Sequence, residues 1–137
     1  MPNGLEDTVQ RAKPILWVAS SRRDLKELPP GVRRLFGHAL WEAQQGGRHE
    51  NTKILRGFGG AGVLEVVEDY EGSTYRAVYT VRFAGVVIVL HVFQKKSKKG
   101  IKTPPQTVDL IRKRLKAAEE IYEDWRETQE DEKWPGV

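Results

Sequence analysis

The stretch TYRAVYTVRFAGVVIVLHVFQ, residues 74–94 of a 137-residue chain, decides the fold. Apolar and polar side chains alternate along residues 74–83, and this period of two is typical of a β-strand with one buried face. The dipeptide Ala-Gly that follows predicts a hairpin turn. Residues 86–94 are then apolar on both faces almost to their end, which predicts a strand inside the sheet. With a further strand predicted over residues 63–68, the pattern indicates an antiparallel meander.

Helices are predicted before and after this meander. A first strand over residues 13–18 is followed by a short helix over residues 21–28. Apolar residues then recur with the i, i+3, i+4 spacing of an amphipathic helix over residues 32–43. A third helix opens after Thr103-Pro104, with an apolar seam over residues 108–125. The fold class predicted is α+β, with an N-terminal helical hairpin and a C-terminal helix packed on a small antiparallel β-sheet.

Length and composition limit the class of protein. The chain suits a single domain over residues 1–137, with a compact core at residues 13–125. Residues 1–12 are expected to form a flexible arm, and residues 126–137 a flexible acidic tail. The sequence has no Cys, which excludes a disulfide framework, and its longest apolar run, residues 86–90, is too short to span a membrane. No signal-peptide pattern is present, so we expect a cytoplasmic protein.

The net charge of +4 conceals a strong asymmetry along the chain. Residues 94–116 contain nine basic residues and one acidic residue, whereas residues 117–137 contain two basic and eight acidic residues. Several lysines of the basic block directly follow the predicted interior strand, so their backbone is anchored at one end. Their field suits phosphate groups, although a charged loop that only keeps the strand soluble fits the pattern equally well. The lysines in question are Lys95, Lys96, Lys98, Lys99 and Lys102.

Residues on the neighbouring strands strengthen the phosphate-binding interpretation. Arg76 and Arg82 share one face of the strand predicted over residues 74–83, and a guanidinium offers phosphate a planar fork of donors. His91 lies on the interior strand, where a packed or hydrogen-bonded role is the more frequent one for a lone histidine. Near several cations its ring would lose a proton more easily, which would suit a neutral base.

The glycine-rich segment GFGGAG, residues 57–62, is predicted as a flexible bend. A phosphate-binding P-loop would require Lys and Ser or Thr after the glycines and then a helix, whereas a strand follows here. The bend is expected to bring Lys53 and Arg56 near the sheet, where they would bind phosphate. His38 and His49 have no second ligand at metal spacing, so the sequence predicts no metal site.

Four motifs together carry a resemblance to a known family. They are ELP at residues 27–29, LRGFGGAGVLE at residues 55–65, YRAVY at residues 75–79 and LHVFQKKSKKGIKTP at residues 90–104. With them, the chain resembles bacterial type II toxins of the RelE/ParE superfamily, in particular the phage-derived HigB-like branch. The resemblance covers about residues 28–118. It implies a helical hairpin on an antiparallel sheet, in agreement with the periodicity.

The resemblance also implies an activity and its partners. It implies an mRNA endonuclease that acts on the ribosome without metal or cofactor and is neutralised by an antitoxin with a helix-turn-helix domain, in a heterotetramer or larger assembly. Arg76 matches the family arginine and would stabilise the charged phosphorane. Lys95 and Lys96 match the basic end of the last strand and would bind phosphate, one of them donating a proton. His91 would act as an acid or base.

Departures from RelE leave two alternative functions open. Glu65 and Val67 stand where RelE has paired lysines, and no residue matches its C-terminal catalytic tyrosine, since Tyr122 lies in the predicted helix seam. A ParE-like toxin would share the fold, lack the ribonuclease site and bind DNA gyrase. A phage-derived regulatory protein that binds nucleic acid without toxicity is the second alternative.

Overall fold

The computed structural model describes residues 12–60, 62–95 and 103–133, with side chains as far as residue 130. Within those ranges the chain forms five strands and three helices. In chain order they are β1 (Ile15–Trp17), α1 (Ser21–Lys26), α2 (Pro30–Gln44), β2 (Thr52–Ile54), β3 (Val63–Tyr70), β4 (Ser73–Thr80), β5 (Val87–Lys95) and α3 (Pro105–Lys133).

The five strands form one sheet in the order β1-β5-β4-β3-β2. Strands β3, β4 and β5 pair antiparallel, as predicted, and β5 lies inside the sheet, as its apolar sequence predicts. Strand β2 adds antiparallel to β3 at the edge of the sheet. The sheet is mixed rather than wholly antiparallel, because β1 pairs parallel with β5, with Ile15 opposite Val87. Tight turns fix the directions of β3, β4 and β5 locally, whereas β1 pairs with a strand far along the chain, and no local pattern determines its direction.

Helices cover both faces of the sheet, so the chain has two apolar cores. On one face α1 and α2 pack over alternate side chains of β3, β4 and β5, and Tyr79 is fully buried there. On the other face α3 packs through the predicted seam, with Ile111 and Ala118 fully buried. The α3 face also carries Glu65 and Arg76, because their strand partners Val78 and Phe93 belong to it. Side chains of β3, β4 and β5 therefore share this face with α3.

Strand β4 ends at Thr80, before the predicted end at residue 83. Its register with β5 shifts just before Thr80. The Thr80 hydroxyl donates to the carbonyl oxygen of Gly62 at 2.7 Å and accepts from the backbone N–H of Arg82 at 3.1 Å. These bonds close the end of the strand, so Arg82 lies beyond the β4 ladder that holds Arg76.

Helix α3 extends farther than the sequence predicts. Residues 126–137 are predicted as a flexible acidic tail, but the helix continues to Lys133. Within this helical part, the Thr128 hydroxyl donates to the Asp124 carbonyl oxygen at 3.1 Å, a local contact that an apolar seam does not reveal. Residues 134–137 and 1–11 lie outside the described residues. Neither α3 nor any other helix in the described ranges combines the length and the apolar character needed to cross a membrane.

Candidate functional site

A cluster of charged side chains lies on the α3 face of the sheet. Glu65 of β3 is fully buried, and its Oε1 accepts a hydrogen bond from Nη1 of Arg76 at 2.9 Å. The side chain of Arg76 is itself buried. Nζ of Lys53, whose side chain is mostly exposed, lies 3.6 Å from the same Glu65 oxygen. One carboxylate oxygen therefore joins a buried guanidinium to an ammonium that reaches solvent.

The register of the sheet explains why these side chains meet. Lys53 lies directly opposite Glu65 in the β2–β3 pair, so both side chains project from the same face. Arg76 lies opposite Val67, two residues along β3 from Glu65, and a long side chain can span that diagonal. Lys53 and Arg76, which the sequence predicts as site residues from separate segments, are brought together by this register.

Lys95, at the end of β5, belongs electrostatically to the same cluster. It lies on the same face as Phe93, the residue opposite Arg76, and it is only 5% exposed. Burial lowers the pKa of Lys95 below its ordinary value; Arg76 and Lys53 lower it further, while Glu65 raises it. The positive potential of two neighbouring cations thus reaches the Lys95 ammonium, and such a potential attracts anions.

A cleft of about 550 Å³ opens beside the cluster. Its walls come from β2, from the chain just after β2 and from the start of α3, so apolar surface and positive charge face the same space. Within the described part of the chain, no three His, Cys, Asp or Glu side chains are grouped as a metal ion would require. The described residues that line the cleft are Lys53, Ile54, Leu55, Arg56, Glu65, Arg76, Thr103 and Val108.

Two buried atoms of the cluster have no hydrogen-bond partner among the described residues. They are Nε of Arg76 and Oε2 of Glu65. Leaving a buried polar atom without a partner costs about 1–3 kcal/mol. The ion pair is thus made through one atom of each group instead of through the two parallel bonds that Arg and Glu can form. Stability alone does not explain this arrangement.

His91 lies on the same sheet face, where α3 holds it. Nη1 of Arg114 donates to Nδ1 of His91 at 3.0 Å and to the carbonyl oxygen of Leu90 at 3.0 Å. Burial lowers the pKa of His91 to about 4, helped by Arg114 and opposed by Asp24. At neutral pH the ring is uncharged, and its proton is on Nε2 because Nδ1 accepts from an arginine. His91 is not among the described residues that line the cleft.

Arg82, predicted on one strand face with Arg76, lies instead against the glycine-rich bend. A Cβ on Gly62 would come within 2.4 Å of Cγ of Arg82, so a residue without a side chain is needed where the arginine crosses the bend. At the beginning of the bend, the guanidinium carbon of Arg112 from α3 lies 5.0 Å from the centroid of the Phe58 ring. The bend therefore carries a second group of arginines, separate from Arg76.

The remaining predicted phosphate-binding residues lie in the segment that joins β5 to α3. They are Lys96, Lys98, Lys99 and Lys102, and all four lie outside the described residues. Thr103, the first described residue after them, lines the cleft. Lys95, the last described residue before them, belongs to the charged cluster.

Three charged residues of this face have no role that their sequence context predicts. Glu65 is the only charge in the apolar segment at residues 63–67, a signal for a buried ion pair, but the register is needed to name its partner. Arg112 and Arg114 lie in a helical segment rich in basic residues, where nothing in the sequence shows that Arg112 meets Phe58 and Arg114 meets His91 while Lys113 does neither. Only the packing of α3 on the sheet distinguishes these two arginines.

Known proteins are similar to this chain in sequence and in structure. The toxin-antitoxin complex RelBE2 from Mycobacterium tuberculosis is similar to it with a TM-score of 0.41 and 22% sequence identity. That match covers 63% of this chain and 94% of the chain in the complex. No curated protein matches the chain significantly. The family model described as phage derived protein Gp49-like (DUF891) matches residues 23–116, and the chain therefore belongs to this phage-derived family, as its motifs predict.

Proposed function

We propose that this chain is the toxin of a type II toxin-antitoxin system and that it cleaves messenger RNA on the ribosome. The observation that carries the proposal is the cluster beside an open cleft in which Lys53 and Arg76 share one carboxylate oxygen of Glu65, with Lys95 electrostatically coupled to all three. Bringing like charges together in a partly buried site is unfavourable, and an anion bound among them offsets the repulsion. A phosphodiester of RNA supplies such an anion.

The proposed reaction uses a nucleophile that the RNA itself carries. The ribose 2′-oxygen bonds to phosphorus as its proton passes to a base, and the bond from phosphorus to the 5′-oxygen breaks as that oxygen takes up a proton. The products are a 2′,3′-cyclic phosphate and a 5′-hydroxyl. The protein must therefore stabilise the extra charge of the phosphorane and provide for two proton transfers.

The charged cluster supplies groups suited to these tasks. Arg76 is proposed to stabilise the phosphorane, because a guanidinium is always charged and its ion pair with Glu65 fixes its position. Lys95 is proposed to donate a proton to the 5′-oxygen, since a lowered pKa brings an ammonium closer to an effective acid at neutral pH. Lys96 is proposed to share phosphate binding with it. His91 stays a predicted acid or base, and an acid role would use its Nε2–H.

Cations outside the cluster are proposed to bind the flanking nucleotides. Arg56 lines the cleft, and Arg82 and Arg112 lie along the glycine-rich bend. Contacts of this kind read no bases; they raise affinity for any RNA and make it depend on salt. Among the residues outside the described ranges, Lys98, Lys99 and Lys102 are proposed for the same role.

An antitoxin with a helix-turn-helix domain is the proposed partner, in a heterotetramer or larger assembly. The similar structure from Mycobacterium tuberculosis is a toxin-antitoxin complex, which supports a partner of this class. Covering a basic cleft with acidic or apolar side chains would block RNA and neutralise its charge. Because the substrate is translated mRNA, the proposed location is the cytoplasm.

The proposal is tested by expressing the chain under a tight promoter in bacteria and mapping RNA 5′ ends during growth arrest. Wild-type protein is expected to arrest growth and to produce new 5′-hydroxyl ends in translated messages. An Arg76→Gln, Lys96→Ala double variant is expected to do neither, since it removes cations proposed to bind the phosphate. Arg34→Gln serves as the matched control, because Arg34 is exposed on α2, away from the cleft.

The other outcomes identify the alternatives. Growth arrest by a folded double variant with unchanged RNA cleavage would contradict the assigned site. Growth arrest with intact RNA and damaged DNA would identify a ParE-like toxin that acts on gyrase. Normal growth with intact RNA on expression of the folded wild-type protein would support a regulatory protein without toxicity.

A further inference from the structure

We propose that Glu65 is a positioning residue of the cleft, which holds Arg76 and Lys53 where a phosphodiester is bound. The inference rests on the proposed function, since it concerns the geometry of that same site. It starts from the contact pattern, in which one oxygen of a single carboxylate is shared by two cations from different strands. Without Glu65, no other described contact ties Arg76 of β4 to Lys53 of β2.

Glu65 is fully buried and one of its oxygens already holds two cations, which favours a positioning role over a catalytic one. Its side chain is 0% exposed, and its second oxygen is buried as well. A group that takes a proton from a ribose must reach the 2′-hydroxyl within hydrogen-bond distance. Lys53, by contrast, is 59% exposed and can meet an RNA phosphate directly. Glu65 therefore acts on RNA through its cationic neighbours.

A purely structural reason for Glu65 is weak. Val63, the preceding β3 residue on the same face, is buried and apolar, so an apolar pair in place of both Glu65 and Arg76 would pack here without the desolvation of two charges. Ion pairs of this buried kind often add little net stability. The pair with Arg76 also leaves one buried atom of each residue without a partner among the described residues. The proposed role of the ion pair is therefore to hold positive charge at the cleft.

The charge of Glu65 also acts on Lys95. Among the described residues, charged groups that act on Lys95 are Arg76 of β4, Glu65 of β3 and Lys53 of β2. The two cations lower the pKa of Lys95, and Glu65 is the one group among them that raises it. Removing the negative charge therefore lowers the pKa of Lys95 further, so the lysine loses its proton at a lower pH.

The decisive variant is Glu65→Gln, which keeps the shape of the side chain and removes its charge. Cleavage of mRNA on purified translating ribosomes is measured against pH with the full-length chain, and the titration of Lys95 is followed by NMR of its ε-carbon, assigned with a Lys95→Met variant. We expect kcat to fall by about 100-fold, the size typical of a misplaced catalytic group, with a smaller change in KM. The alkaline limb of the pH profile and the Lys95 titration are both expected to move to lower pH.

Two further variants separate position from charge. Glu65→Asp keeps the charge but withdraws the carboxylate by one methylene, so kcat is expected to fall while the Lys95 titration stays close to that of wild type. Glu68→Gln is the matched control, because Glu68 lies on the opposite face of β3, where its partner Tyr75 packs on the helical hairpin. This control should leave both readouts unchanged.

The results distinguish a failure of this inference from a failure of the proposed function. Unchanged kcat and unchanged Lys95 titration in folded Glu65→Gln would overturn the positioning role. If Glu65→Gln does not fold, wild-type kcat in folded Glu65→Asp would overturn it. If the wild-type chain cuts no mRNA on translating ribosomes, the proposed function fails. Binding of inorganic phosphate then decides: equal affinity in wild type and Glu65→Asp would overturn the inference.

Discussion

Substitution of His91 by Asn is predicted to remove an acid-sensitive part of the stability. The His91 ring is partly buried on β5, and its Nδ1 accepts from the Arg114 guanidinium at 3.0 Å. A protonated ring cannot accept that hydrogen bond and would face a permanent cation across it. Asparagine does not titrate, and its Oδ1 can accept from Arg114 at nearly the position of Nδ1. The variant therefore keeps the contact and loses the titration.

The magnitude follows from the pKa of the ring in the two states. Burial and Arg114 lower the pKa of His91 to about 4, whereas an unfolded histidine titrates near its ordinary value of 6.5. Between these values the unfolded chain binds a proton that the folded chain does not, so stability falls as pH decreases. The contribution is intact above about pH 6.5 and lost below about pH 4. It amounts to about 3 kcal/mol at most, and solvent near the partly exposed ring reduces it to about 2 kcal/mol.

The assay is urea denaturation of both proteins at pH of about 7.5 and about 4.5. Wild type is expected to lose about 2 kcal/mol more than His91→Asn between these conditions. His38→Asn is the matched control, because the His38 side chain is 58% exposed and pairs with Glu42 on the surface of α2. An identical pH dependence in wild type and His91→Asn would refute the reasoning about burial and Arg114.

The same variant separates the two interpretations of His91. Lys95 is the proposed acid, and Nδ1 of His91 is already held by Arg114, so we expect folded His91→Asn to cleave RNA at close to the wild-type rate at neutral pH. A loss of about 100-fold or more would instead support the sequence-based prediction of an acid or base. Antitoxin binding by the variant reports that it is folded in either case.

Two further predictions concern the bend and the α3 core. Replacing Arg82 and Arg112 by Gln should reduce the slope of log affinity for single-stranded RNA against log salt concentration by about 1.4, because each lost phosphate contact on a single strand contributes about 0.7. The slope is measured by filter-binding titration. An unchanged slope would show that neither arginine contacts the RNA. Ile111→Ala should lower the free energy of unfolding by about 2–5 kcal/mol, since Ile111 is fully buried between α3 and the sheet. Lys113→Ala, an exposed control in the same turn, should change stability by less than about 0.5 kcal/mol.

Most of the fold could be predicted because its signals are local. The alternation in β4, the continuous apolar run of β5 and the three-and-four spacing in α2 and α3 each follow from a few neighbouring residues. The direction of β1 could not be predicted, because its pairing with β5 depends on how the intervening helices pack. The end of β4 could not be predicted either. The alternating sequence implies strand pairing as far as residue 83, whereas the Thr80 hydroxyl donates to the Gly62 carbonyl oxygen just before β3 and ends the strand there.

The candidate site shows the same division between local and distant information, and there it affects chemistry. The sequence could name Arg76 and Lys53 as candidates for this site, because residue type and a nearby turn or strand are enough to suggest a role. Glu65 could not, because its importance lies in accepting from Arg76 on one neighbouring strand while facing Lys53 on the other. A one-residue slip in either register would turn the carboxylate to the opposite face and separate it from both cations. The sequence therefore indicates how much positive charge this face carries. The register determines which of those cations are held in fixed positions, where an RNA phosphate would contact them.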